Sequence, residues 1–126
     1  MQAQTAKSID KAQVKSDKLA VLWTSGDPDV AHKVCLMYTH AAKKMKWFNE
    51  VVLIVWGPSS RLLATDKSLQ KKVKQMKEDG IKVRACIVCA NMYGVTDELK
   101  QLGVEVLPMG VPLTNYLKEG YHTLTF

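Results

Sequence analysis

Cysteine is scarce in this chain: its 126 residues carry three, at positions 35, 86 and 89. So sparse and odd a set is no disulfide framework, which argues against a small cross-linked secreted scaffold and for a reducing, cytoplasmic home. Cys86 and Cys89 form the single Cys-X-X-Cys, and with no second pair to complete four ligands a structural zinc site is not expected. Aromatic residues make up 7% of the chain and none interleaves the lysines, so a stacking platform for a nucleic acid strand is lacking. No apolar run approaches the ~20 residues of a membrane span, and none at the N-terminus has the length of a signal peptide. Gly-X-Gly-X-X-Gly, Gly-X4-Gly-Lys-Ser/Thr and Gly-X-Ser-X-Gly are all missing, and with them the signals for dinucleotides, P-loop nucleotides and the hydrolase elbow. Neither a metal nor an organic cofactor is expected.

Positive charge is in excess, at a net +6. Lys7, Lys11, Lys15 and Lys18 lie in a leader without sustained periodicity, while Lys67, Lys71, Lys72, Lys74 and Lys77 decorate one predicted helix. Both places read as solvated surface, with weak and sequence-independent attraction for nucleic acid and no reading motif. Residues 1–17 are set apart as a flexible N-terminal extension. Residues 18–126 form one domain, and a chain of this size buries roughly two-thirds of its unfolded surface.

Within that domain the apolar pattern alternates strand and helix. Leu19 to Thr24 is apolar enough for a strand buried on both faces; Ser25-Gly26 stops it, and Asp27 caps a helix with Pro28 at its first position. That helix carries Val30, Val34, Met37, Ala41 and Met45 on one stripe, widened by Ala31, Cys35, Tyr38 and Ala42, so this face is expected to pack on a sheet with Cys35 as a small core residue. His32 and His40 are eight positions apart and cannot share a metal as an i, i+4 pair would. Glu50 to Gly57 is a β-branched central strand closed by Gly57-Pro58. Ser59 or Ser60 then caps a short helical segment, Asp66 or Ser68 opens a helix buried through Leu69, Val73 and Met76, and Gly80 ends it. Ile81 to Ala85 is a third strand, Val104 to Leu107 a fourth and Tyr121 to Phe126 a fifth. Between them lie a short helix after Cys86, a helix over Asp97 to Leu102 capped by Thr96, and another begun by Pro112. The expected fold is α/β, a single-domain three-layer αβα sandwich with a mostly parallel five-stranded sheet.

A parallel sheet brings its strand-to-helix loops to one edge. Ser25-Gly26-Asp27, Gly57-Pro58-Ser59-Ser60, Cys86 to Asn91 and Met109-Gly110-Val111 should therefore meet, and the cysteine pair gains polar neighbours. A thiol at a helix N-terminus or in Cys-X-X-Cys ionises readily, with a pKa in the range of roughly 3.5 to 7.5. Cys86, at the strand end, is expected to be the better nucleophile and Cys89, about one turn on, to resolve or merely pack.

The run Cys86-Ile87-Val88-Cys89-Ala90-Asn91-Met92-Tyr93-Gly94-Val95, taken with Trp23-Thr24-Ser25-Gly26-Asp27-Pro28 and Val55-Trp56-Gly57-Pro58, resembles the DsrE/DsrF-like sulfur-relay family, YchN-type members included. The resemblance covers about Lys18 to Phe126. It implies sulfur transfer through a persulfide on Cys86, a second cysteine at the place of Cys89 in some members, and subunits assembled as trimers or hexamers. Tyr93 stands where relatives often place an arginine before the motif glycine. Substrate contacts are expected from Ser25, Gly26, Asp27, Gly57, Pro58, Ser59, Asn91 and Tyr93, and partners would be sulfur donor and acceptor proteins. Two other readings stand beside this one: a dithiol oxidoreductase cycling Cys86 and Cys89, and a non-catalytic oligomeric binding module. Trp47, Phe48, Tyr116, Tyr121 and Phe126 offer apolar surface for self-association.

Overall fold

A computed structural model describes residues 17–126, so the extension expected over 1–17 lies outside the described residues except for Asp17, whose carbonyl accepts from the Asn49 and Glu50 amides. Five strands form one sheet in the order β4-β3-β2-β1-β5, and every pairing is parallel. They are β1 (Lys18–Trp23), β2 (Glu50–Val55), β3 (Lys82–Cys86), β4 (Glu105–Leu107) and β5 (His122–Thr125). Between β1 and β2 runs one continuous helix made of α1 (Pro28–Val30), a π-helical stretch (Ala31–Cys35) and α2 (Leu36–Lys44). The other helices are α3 (Pro58–Thr65), α4 (Lys67–Glu78), α5 (Ile87–Met92), α6 (Thr96–Gln101) and α7 (Gly110–Lys118).

The layers are unequal. From β1 to β4 the chain steps across the sheet in one direction, so crossovers of one hand stack α1 to α6 on the same face. The last crossover returns over three strands to β5 and carries α7 to the opposite face. Alternate residues divide accordingly. Leu19, Val21, Trp23, Val51, Leu53, Val55, Val83 and Ala85 join the large core beneath α1 to α6. Ala20, Val52, Ile54 and Cys86 face the small core, shared with Met109 and Tyr121 and lined by Leu113 and Tyr116. No residue of α7 is itself buried.

The helix after β1 sits on the sheet by a different side from the one its apolar stripe suggests. Ala31, Cys35, Leu36, Thr39, His40 and Ala42 are buried, whereas Val34, Met37 and Met45 are exposed. Two polar residues can go inside because each is satisfied there: Thr39 Oγ1 donates to the Cys35 carbonyl at 2.6 Å, and His40 Nε2 meets Asp79 Oδ2 at 2.6 Å. The aromatic residues expected on the surface are drawn in instead. Trp47, Phe48 and Phe126 pack against the large core, Tyr116 against the small one, and Tyr121 is buried.

Caps account for several element boundaries. Asp27 accepts from the Asp29 and Val30 amides at 2.7 and 3.2 Å, with Pro28 at N1. Asp66 caps α4, Oδ1 accepting from the Leu69 amide at 3.0 Å and the Ser68 hydroxyl at 2.8 Å. Thr96 does not cap α6; its hydroxyl donates to Asn91 Oδ1 at 2.5 Å, and Val95 holds the cap position. Nor do the serines cap α3. Gly57 occupies that place, and the Ser59 hydroxyl is used elsewhere.

The Leu69 amide, then the Ser68 hydroxyl, holds the Asp66 carboxyl below the usual carboxylate range. A carboxylate with a lowered folded pKa contributes stability above its unfolded value of about 3.9, and loses that contribution as the pH falls through the folded value. Asp66→Ala should therefore cost about 1 kcal/mol near neutral pH, a normal figure for a lost N-cap. Urea titrations of parent and variant from about pH 7 down to about pH 2 should show the gap closing in acid; an equal gap at both ends would contradict the assignment.

Candidate functional site

The reversal of crossover direction falls between β3 and β4. From β3 the chain turns to α5 on one face, and from the neighbouring β4 it turns to α7 on the other. Loops that part in this way open a crevice at the carboxyl ends of their strands, the place where open α/β sheets bind ligands. Cys86 is the last residue of β3, and it pairs with Leu107, the last of β4. One step on from the Val55↔Ala85 register, Trp56 stands opposite Cys86 on the other side.

Strand parity puts Cys86 on the small-core face, with Ile54, Met109, Trp56, Cys89 and Leu107 around it. Its backbone is extended (φ −73°, ψ 119°), as befits the N-cap of α5, and it is 4% exposed. Cys89 follows in the first turn of α5 and is half-buried, so it is the more accessible sulfur of the pair. Beside the Cys89 sulfur lie the Gly57 amide and the Trp56 side chain, both placed as donors to it, and the Cys86 sulfur. Burial pushes the Cys89 thiol up. The Gly57 amide pulls it back, the neighbouring Cys86 sulfur raises it again, and the Trp56 side chain lowers it. Cys35 has no such company: it is fully buried, and burial alone pushes its thiol up to about 12. A thiol held there is inert packing.

The turn from β2 into α3 is what aims the two donors. Ser59 is fully buried, and its hydroxyl donates to the Trp23 carbonyl at 2.5 Å while accepting from the Trp56 amide at 3.2 Å. The Trp56 amide also reaches the Trp23 carbonyl at 3.1 Å, and the Ser59 amide reaches the Thr24 carbonyl at 3.0 Å. The ends of β1 and β2 are thus clamped together just ahead of Gly57. Gly57 itself takes φ +79° and ψ −141°, a conformation open to glycine and strained for any other residue.

The expected site residues divide into two groups. Cys86, Cys89 and Gly57 come together, with Ser59 behind them and Pro58 against Gly26, where a side-chain carbon on the glycine would lie 3.2 Å from Pro58 Cβ. Ser25 accepts from the Asp27 amide at 3.1 Å, and Asp27 is spent on capping α1. Asn91 is tied to Thr96, and Tyr93 packs against the large core beneath the guanidinium of Arg61, 5.0 Å from its ring centroid. Trp56 is a neighbour of the thiol pair that sequence reasoning did not single out as a contact. Its signal was parity: it continues the Val52, Ile54 face, and Cys86 continues the Arg84 face beside it. Val88 and Met92, one turn apart on α5, are exposed on either side of Cys89 in sequence. Among the described residues no group of three or more His, Cys, Asp or Glu side chains could hold a metal ion, and no helix is long and apolar enough to cross a membrane.

Comparison with known proteins supports the family and the fold. The model of the DsrE/DsrF-like family matches residues 17–126, and the chain belongs to that family. Among solved structures it is similar to a conserved protein of unknown function from Bacteroides thetaiotaomicron, at 36% identity and a TM-score of 0.83, covering 87% of this chain and 95% of the other. It also shares its fold with a protein of unknown function from Methanobacterium thermoautotrophicum, at 18% identity and a TM-score of 0.67, covering 86% of this chain and 99% of the other. No curated protein matches the chain.

The strained turn yields a direct prediction. Gly57→Ala should lower stability by about 1–3 kcal/mol, the cost of holding a side-chain-bearing residue in such a conformation. Chemical denaturation measures it, and a variant as stable as the parent would show that the turn relaxes freely.

Proposed function

We propose that this protein is a sulfurtransferase or sulfur carrier that accepts sulfane sulfur as a persulfide on Cys86. The observation that supports this most is the thiol pair at the crevice between β3 and β4, in a chain of the DsrE/DsrF-like family. Cys86 is the strand-end sulfur, enclosed by apolar side chains that keep water from a reactive intermediate. Cys89 holds its proton, through burial and through its bond to Cys86. It therefore serves the neighbouring sulfur as an S–H donor and is the poorer attacking group.

The transfer needs no redox partner. A Cys86 thiolate attacks the outer sulfur of a donor persulfide R–S–SH; the new Sγ–S bond forms, the donor's S–S bond breaks, and R–S⁻ leaves with the electron pair. The outer sulfur keeps its proton until the new persulfide ionises. The resulting carrier would hand its sulfur to an acceptor thiol by the same exchange, with partner proteins as donor and acceptor. The contact between Cys86 and Cys89 also supports a second reading, a dithiol that closes to a disulfide.

Intact-mass analysis of protein prepared without reductant separates the two, since one adds sulfur and the other removes two hydrogens. Cys86→Ser should abolish loading from a persulfide or polysulfide donor, while Cys89→Ser and Cys35→Ser retain most of it. Peptide mapping that finds the added sulfur on Cys89, with Cys86 unmodified, would overturn the assignment. Loss of activity in both Cys86→Ser and Cys89→Ser, with an internal disulfide in the mildly oxidised parent, would establish the dithiol instead.

Self-association as a trimer or hexamer belongs to the same proposal. Exposed Val34, Met37, Met45, Val111, Leu117 and Leu124 supply the apolar surface that favours it. Sedimentation at low micromolar concentration should show a species well above the 14.1 kDa of one chain; a lone monomer would refute it.

A further inference from the structure

Both groups placed as donors to the Cys89 sulfur are neutral N–H groups, the Gly57 amide and the side chain of Trp56, whose only side-chain polar atom is the indole nitrogen, and Trp56 shares the small core with both sulfurs. They follow directly on β2, the strand beside Cys86's own: Trp56 comes one residue after Val55, Cys86 one residue after its partner Ala85, and both pack in the same small core. The surrounding walls are apolar, from Ile54, Leu107 and Met109. Ser59 fixes the Trp56 backbone, and the glycine conformation at 57 sets the plane of the next donor. Fixed donors in a dry recess are the arrangement that stabilises an anion most strongly, because they need no reorientation when the charge forms.

Resting on the sulfur-transfer reading above, we infer that Trp56 and Gly57 bind the transferred sulfur: the indole N–H and the Gly57 amide are paired donors for the anionic outer sulfur of a Cys86 persulfide. That atom lies one S–S bond, about 2 Å, beyond Cys86 Sγ. In the unloaded protein the Cys89 sulfur receives the same donors; on loading, Cys89 gives them up and lends its S–H as a third. The recess thereby favours R–S–S⁻ over a neutral mixed disulfide, whose bound sulfur carries no charge for the donors to hold. Since Cys86 itself is 4% exposed, sulfur must reach it as the slender end of a persulfide or polysulfide chain, free or carried by a partner protein.

The test uses Trp56→Phe, which keeps an aromatic ring and deletes the N–H. Loading of Cys86 from a defined polysulfide should slow roughly tenfold to hundredfold, and the pH midpoint for alkylation of the thiol pair by iodoacetamide should rise by about one unit. A merely structural role would not move that midpoint. In the parent, NMR should show the Trp56 indole and Gly57 amide protons shifting downfield on loading while the Trp23 and Trp47 indoles stay in place. This second readout decides the matter even if the variant fails to fold. Unchanged loading rate and midpoint in a folded Trp56→Phe, or unmoved Trp56 and Gly57 signals in the loaded parent, would overturn the inference and leave the sulfur-transfer reading standing. Should the parent take up no sulfur, that reading fails instead; the alkylation profile then still tests the donors, an upward shift keeping them as holders of the thiolate and an unchanged midpoint discarding them.

Discussion

Handedness of the crossovers governs nearly everything about this molecule. Right-twisted strands accept a parallel neighbour through a right-handed connection, so the direction of each step across the sheet determines the face on which its helix lies. Three steps one way and one long step back leave the order β4-β3-β2-β1-β5. The heavy layer of α1 to α6, the light layer of α7 and the crevice between β3 and β4 all follow. Cys86 owes its position to that reversal, since it ends β3 at the point where adjacent loops part.

Three residues of one chemical type have three different characters here, and the environment alone separates them. Cys35 ends the π-helical stretch inside the large core, where burial alone pushes its thiol up to about 12. Cys89 is partly open to water but has two N–H groups and the Cys86 sulfur beside it. Cys86 is nearly enclosed, with the Cys89 sulfur as a neighbour. Composition offers a count of cysteines; register and crossover direction turn the count into a site.

What was legible in the residues follows the same division. The inner strands were readable because strands covered on both faces are continuous apolar runs, as in Val51 to Val55, and the turn residues Asp27-Pro28, Gly57-Pro58 and Gly80 bounded them locally. The fold class and the place of the cysteine pair at a strand end came from that pattern, and the family from the short motif built on it. The buried side of the helix after β1 was not legible. Two overlapping apolar stripes compete there, and the choice depends on Thr39 and His40 finding partners, one on its own helix and one at the C-cap of α4. Ser59 looked like a ligand contact, yet its hydroxyl is held by the ends of two strands, a fact of tertiary pairing. Trp56 was passed over because a tryptophan closing a strand looks like core until its neighbour in register is known.

The long return step also shapes how the chain comes together. Strands β1, β2 and β3 are joined by crossovers between immediate neighbours, whereas β5 pairs with β1 through Leu19↔His122 across almost the whole domain. Contacts of high sequence separation carry the largest loop-closure entropy and form late. All four residues of β5 are exposed and it has one neighbour only, so this strand and α7 make up the least protected unit of the domain. The large core under α1 to α6 can therefore persist through local openings in which the far end of the chain peels away. Such openings bare Ala20 and Leu22 on the same face that carries the two sulfurs.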